Sequence, residues 1–189
     1  MKKKIYLISF SILIILLVIG VFLYRIYFPD TLAQIRARGK LIVLTRNAPT
    51  TYYFGPQGAT GFEYDLISDF ARHLGVDLEI HVKDTISEIL RAMTRGEGDI
   101  AAAALTITEE RSLNHLFGPP YYTVQQQIVC RRGSKIPKKL EDLVDYRIMI
   151  IADSSYEERM RKLKQEIPAL KWESTAELST EQILERVLT

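Results

Sequence analysis

The sequence predicts an α/β protein with a parallel sheet, organised in two successive parts behind an N-terminal membrane-spanning helix. Three observations carry this. Between residues 40 and 105, strand-like and helix-like stretches alternate as strand, helix, strand, helix, strand, an order that implies right-handed crossovers and parallel pairing. A second strand-rich stretch begins after Tyr122, at 124–131. From Ile5 to Tyr24 the chain is apolar apart from Ser9, Ser11 and Gly20.

As a helix, that apolar run reaches about 30 Å, the thickness of a bilayer's hydrocarbon core. Lys2, Lys3 and Lys4 precede it, and the bulky Phe22, Tyr24, Tyr27 and Phe28 follow at interfacial depth. No small-x-small cleavage site ends the run, and no cysteine lies near it to carry a lipid anchor. A retained signal anchor is therefore favoured over a cleaved signal peptide. The lysines stay in the cytoplasm and the rest of the chain is extracytoplasmic.

Pro29 stops this helix, and Asp30 or Thr31 can cap a short one at 32–38 that ends at Gly39. The apolar run 40–45 reads as a buried strand. Pro49, Gly55, Pro56, Gly58 and Gly61 make 47–61 a loop or a tight hairpin. Leu66, Ile67, Phe70, Ala71 and Leu74 fall at helical spacing, with Gly75 as a stop. Residues 76–82 alternate with strand period. Thr85 and Glu88 form a capping box for the next helix, which Gly96 and Gly98 end. The run Ile100 to Leu105 is alanine-rich, but its setting between glycines and a turn favours a buried strand. Further on come a helical turn at 140–144, a strand at 146–152 and a charged helix capped by Ser154 or Ser155. A short strand at 170–173 and a last helix opened by Ser179 and Gln182 complete the chain.

The chain has 189 residues, with 25 Lys and Arg against 23 Asp and Glu, and three of the basic residues are the N-terminal lysines. No basic stripe remains, so nucleic acid is excluded as a partner. The single Cys130 rules out an internal disulfide and a multi-cysteine metal site, and reads as a small half-buried hydrophobe. His73, His81 and His115 lack metal-ligand spacing. There is no phosphate loop, no nucleophile elbow and no rule that brings Glu63, Glu97 and Asp99 together. No catalytic residue, metal or cofactor is implied.

The candidate ligand-binding residues are Asn47, Tyr52, Thr106, Arg111, Ser154 and Ser155. Arg111 lies three residues after Thr108, an N-cap candidate, and a guanidinium there can grip a carboxylate through two parallel hydrogen bonds. Thr106 ends the alanine-rich strand, where open α/β sheets bind ligands. Tyr52, next to Tyr53 and Phe54, can wall a solute's apolar stem, and Asn47 with Arg46 ends the first strand. Ser154 and Ser155 offer hydroxyls at a helix start, a natural anion site. The plainer alternatives are an Arg111 ion pair with Glu109, Glu110 or Asp99, a packed aromatic loop, and serines that only cap.

Several motifs carry a resemblance. They are Leu32 to Thr45, Asn47 to Tyr53, Gly61-Phe-Glu-Tyr-Asp-Leu66, Leu105 to Arg111, Gly118-Pro-Pro-Tyr-Tyr122 with Gln125 to Val129, and Pro168-Ala-Leu-Lys-Trp172. The chain resembles extracellular solute-binding proteins of family 3. The longer set is more specific, and is similar to the solute-binding-like module of the membrane-bound lytic murein transglycosylase F family.

The resemblance implies a hinged, two-lobed, periplasmic-binding-protein-like fold with an incomplete second lobe. Its parts would be a basic end (1–4), a transmembrane anchor (5–28), a linker helix (29–38), lobe 1 (39–123) and partial lobe 2 (124–189). In amino-acid-binding relatives, the residue matching Arg111 grips the ligand's carboxylate and the one matching Thr106 donates a hydroxyl. Ala104 stands where those relatives carry a small hydroxyl residue, so one contact is missing.

The implied partner is a small polar ligand, an amino acid or a muropeptide-like wall fragment. The implied location is the periplasmic side of a membrane, with an inner-membrane anchor favoured over the outer membrane. The family's catalytic Glu belongs to a domain beyond Thr189, through which peptidoglycan would be reached, so this chain reads as the non-enzymatic front of a longer protein. It is expected to be a solute-binding or sensor domain, or alternatively the regulatory part of a lytic transglycosylase.

Overall fold

The structure, a computed structural model, describes residues 14–19 and 31–188. The basic end predicted at 1–4 and most of the span predicted at 5–28 lie outside the described residues. Residues 14–19 are helical with exposed apolar side chains. Among the described residues, no helix is long and apolar enough to cross a membrane.

A first packing unit is built around β1 (Lys40–Thr45), which runs between β4 (Asp77–Val82) and β5 (Ile100–Ala101), both parallel to it. Successive strand side chains point to opposite faces, and β1 is apolar on both. Leu41 and Val43 join Ile35 of α1 (Thr31–Arg38) and Ala71 of α2 (Phe62–Leu74). Leu44 packs on the other face with Ile89 and Ala92 of α3 (Ile86–Thr94). A sheet covered by helices on both sides follows directly from that central strand. The loop after β1 folds into a hairpin, β2 (Tyr53–Gly55) with β3 (Gly58–Thr60).

A second unit pairs β6 (Met149–Ile151) in parallel with β7 (Glu173–Thr175). Helix α5 (Ser155–Glu166) connects them, packing Met160 and Leu163 on Leu143 and Leu170. Lys164 lies 5.3 Å over the Trp172 ring. A 3₁₀ turn at Leu140–Asp145 precedes this unit and α6 (Thr180–Leu188) follows it.

Three sequence expectations need correction. The strand expected at 124–131 is absent from the described structure: no regular element forms there, and no strand among the described residues pairs with it. Apolar patterning does not make a strand without a neighbour's hydrogen bonds. The strand expected at 100–105 stops after Ala101. Ala102 N still donates to Leu44 O (2.9 Å), but the Thr45 hydroxyl takes Ala102 O at 2.5 Å, and Ala104 turns into the left-handed region. The strand expected at 170–173 forms later, because Leu170 is drawn into the core by a turn from Ile167 (3.0 Å).

Candidate functional site

Arg111 belongs to α4 (Glu109–Ser112), a single turn capped by Thr108, whose hydroxyl accepts from Arg111 N at 3.2 Å. The turn sends the guanidinium inward to the seam between the two units, where its side chain is only 4% exposed. Nε donates to Glu158 Oε1 at 2.8 Å, Nη1 to Thr106 O at 3.3 Å and Nη2 to Asp153 O at 3.1 Å. Two of these partners lie on or beside α5, which presents its N-terminal, electropositive end to the seam.

Ser155 Oγ donates to Thr106 Oγ1 across the seam at 3.1 Å, and Gln126 reaches the same serine at 3.4 Å. The Ser87 hydroxyl donates to the Asp153 carboxylate. Further along the seam, Lys162 meets Glu109 at 2.9 Å and Arg161 meets Glu110 at 3.8 Å. Lys162 holds the Glu109 carboxyl below the usual carboxylate range, first by its hydrogen bond and then by its charge.

The backbone marks the same place. Among the described residues, Ala104 (φ 51°) and Asp153 (φ 54°) are the non-glycine residues at positive φ, a conformation costing about 1–2 kcal/mol each. Such strain concentrates where a fold holds a functional geometry. Ala104 N is held by the buried Glu63 carboxylate at 2.7 Å, and the Tyr121 hydroxyl donates to the other Glu63 oxygen. The Tyr121 ring packs on Phe62, with centroids 5.5 Å apart.

Of the six sequence candidates, Thr106, Arg111 and Ser155 meet at the seam. Ser154 is buried, donating to Ile151 O (2.6 Å) and accepting from Glu157 N (3.3 Å), so its hydroxyl is committed to the α5 cap. Tyr52 packs on Tyr64 at 5.5 Å and on Phe54 at 5.8 Å, and bridges back to Asn47 and Ala48. Arg46 Nε beside it is buried with no hydrogen-bond partner among the described residues. The alternative partners of Arg111 are engaged elsewhere, Asp99 with Arg38 and with Ile42 N (2.8 Å). His81 is half-exposed and pairs with Glu79 at 2.9 Å. Cys130 is half-buried.

Sequence reasoning missed Asp153 and Glu158, which lie 42 and 47 residues beyond Arg111. It also missed the tie from Glu63 to Ala104. Only Glu63 had a signal, an acid in the first turn of a helix that begins without a side-chain cap.

Burial, and next the hydrogen bond and charge of Glu63, push the Tyr121 phenol above its ordinary range. A raised value means the folded state holds the proton more tightly. The associated stability is therefore complete below about pH 10, the unfolded tyrosine value, and is lost as pH rises through the folded one. Tyr121→Phe should accordingly remove a phenolate that forms above the ordinary tyrosine range from the 295 nm absorbance curve and flatten the alkaline loss of stability.

The twice-covered parallel sheet, the second α/β unit and the polar seam between them define a periplasmic-binding-protein-like α/β fold. Residues 40–177 match the bacterial extracellular solute-binding proteins, family 3, and the chain belongs to that family. It is 44% identical over 159 residues to a membrane-bound lytic murein transglycosylase F of Saccharophagus degradans, covering 84% of this chain and 32% of that protein. The chain thus spans about a third of the length of this curated relative. It is similar to the solved structure of an ancestral arginine-binding protein bound to arginine (29% identical, TM-score 0.68, covering 79% of this chain and 66% of that one). It is also similar to the arginine-bound form of truncated ArgBP from T. maritima (28% identical, TM-score 0.67, covering 81% and 71%).

Proposed function

We propose that this chain is the solute-binding module of a membrane-tethered extracytoplasmic protein, taking a small polar, carboxylate-bearing solute between its two units. The observation that carries this is the seam itself. A guanidinium, two hydroxyls 3.1 Å apart and a helix N-terminus converge there from both sides. Arg111 anchors the carboxylate, Thr106 and Ser155 supply hydroxyl contacts, and the Tyr52 loop walls the remainder of the solute. Ser154 serves as the cap. Domain closure of the hinge type completes the site. Amino acids are the first candidates, since arginine is named for the similar solved proteins. No bond is made or broken at this seam.

A second reading is favoured by the similarity to transglycosylase F. In that reading the module is the regulatory front of a peptidoglycan lytic transglycosylase, a muropeptide-like fragment is the solute, and the wall is reached through a catalytic domain outside this sequence. The tether is the apolar stretch at 5–28, which spans a membrane and holds the module on its periplasmic side.

Thermal unfolding with a panel of amino acids and muropeptides tests both readings. A solute at one hundred times its Kd adds about 2.7 kcal/mol, a shift of about 5–11 °C at about 2–4 °C per kcal/mol for a chain of this size. Thr106→Val with Ser155→Ala should abolish that shift. A panel with no stabilising member, or a shift indifferent to both substitutions, would refute the assignment.

A further inference from the structure

We propose that Glu158 is a built-in rival for the solute at Arg111, an internal carboxylate that draws α5 onto the first unit and sets the site against solutes anchored by a carboxylate alone. This rests on the reading of the seam as the solute site. Glu158 Oε1 lies 2.8 Å from Arg111 Nε, with the two side chains 9% and 4% exposed. A guanidinium binds a carboxylate best through two parallel N–H groups. Here Nε faces Glu158, Nη2 faces Asp153 O and Nη1 faces Thr106 O.

These bonds take three of the five N–H groups, and with the side chain 4% exposed an entering carboxylate reaches a parallel pair only by displacing one of these acceptors. Displacing Glu158 inside the closed seam leaves two carboxylates against one guanidinium, one of them buried and unpaired, which is strongly unfavourable. The route open to the solute is for α5 to swing out and carry Glu158 into water. Solute binding and the docking of Glu158 on Arg111 then compete, the hinge reclosing over the bound solute through Ser155 with Glu158 left in water, and the outcome is their difference in free energy. The other ionic contacts across the seam, Lys162 to Glu109 and Arg161 to Glu110, are exposed and contribute little. Glu158 sets the threshold that a solute must exceed. A solute with further polar groups, able to reach the Tyr52 loop, exceeds it more readily than a minimal one.

The test uses the full chain, with L-arginine as the probe in calorimetry and small-angle scattering as a separate readout of shape. Glu158→Gln keeps the size and the hydrogen-bond acceptor while removing the charge. It should bind L-arginine at least tenfold more tightly than the wild type and scatter as a more open particle. Glu158→Ala gives the same two readings should the amide variant fold poorly. If wild type and variant bind L-arginine equally, the rivalry is overturned and the solute-binding reading stands. If neither binds but the variant opens, Glu158 is supported as the hold on α5 and the amino-acid reading fails. Unchanged scattering in both variants overturns the proposal whatever they bind.

Discussion

Replacing Arg111 with alanine should release α5 from the first unit, because it strands the Glu158 carboxylate where the pair is nearly closed to water. Removing one partner of such a pair costs about 3–5 kcal/mol, mostly from the charge left buried and unpaired. The protein has a less costly alternative. Its two units have separate cores, one around Leu41, Val43 and Ala71 and the other around Leu143, Leu163 and Leu170, so the seam can part and hydrate Glu158 without unfolding either. What resists parting is modest: exposed bridges contribute about 0–1 kcal/mol each, and the hydrogen bonds from Ser155 to Thr106 and from Ser87 to Asp153, the second of them exposed, about 0.5–1.5 kcal/mol each. Opening wins. Arg111→Ala should therefore enlarge the radius of gyration while leaving circular dichroism nearly unchanged. Arg111→Lys should fall between, since a point charge on a flexible stem does not reproduce the planar fork. Arg111→Met with Glu158→Leu removes both charges at similar volume and should close the seam again. A double variant as open as Arg111→Ala would show that the charge pair does not hold the units together.

The elements that were legible in the sequence are those specified within a few residues. β1 announces itself as an apolar run, and α2 by its period and Gly75, which takes the left-handed C-cap at φ 71°. Caps read well too: Ser179 and Gln182 close a reciprocal pair at 3.3 and 2.8 Å. Thr85 caps Glu88 N at 3.2 Å, although the Glu88 carboxylate reaches one residue further, to Asp84 N at 3.1 Å. Arg111 and Ser155 were legible because helix starts are where side chains converge, whereas Thr106 joins them from five residues beyond the end of β5 and not from the strand end the sequence suggested. Glu158 was not. An acid on a charged helix looks like solvated surface until the docking of α5 places it beside Arg111, and no local pattern encodes that docking. The stretch 124–131 failed for the opposite reason: its pattern is that of a strand, but a strand is a property of a pair.

Gly61→Ala should be among the most damaging single substitutions in the chain, and its cause also lies at the site. Helix α2 begins without a side-chain cap. Its first N–H groups are satisfied by the preceding loop, Glu63 N donating to Thr50 O at 3.3 Å and Tyr64 N to Thr51 O at 3.0 Å. That loop must come very near the helix start, and it can do so only where no Cβ intervenes. A Cβ on Gly61 would lie 2.3 Å from Thr51 O and 2.7 Å from Thr51 C, at φ +142°. Thr51 has little room to retreat, being fully buried with its hydroxyl donating to Arg46 O at 2.6 Å. The strained conformation costs about 1–3 kcal/mol, and the loss of two capping hydrogen bonds about 0.5–1.5 kcal/mol each. Together these give a loss of about 2–6 kcal/mol in urea unfolding, reaching the upper end for one substitution. Gly39→Ala is the control: its φ is +72° with nothing within 4 Å of the added Cβ, so it should lose only the conformational share of about 1–2 kcal/mol. Equal losses at the two glycines would refute the close-approach argument. A larger loss at Gly61 should also weaken solute binding in the folded fraction, because a displaced helix start moves Glu63 away from Ala104 and loosens the turn that leads into Thr106.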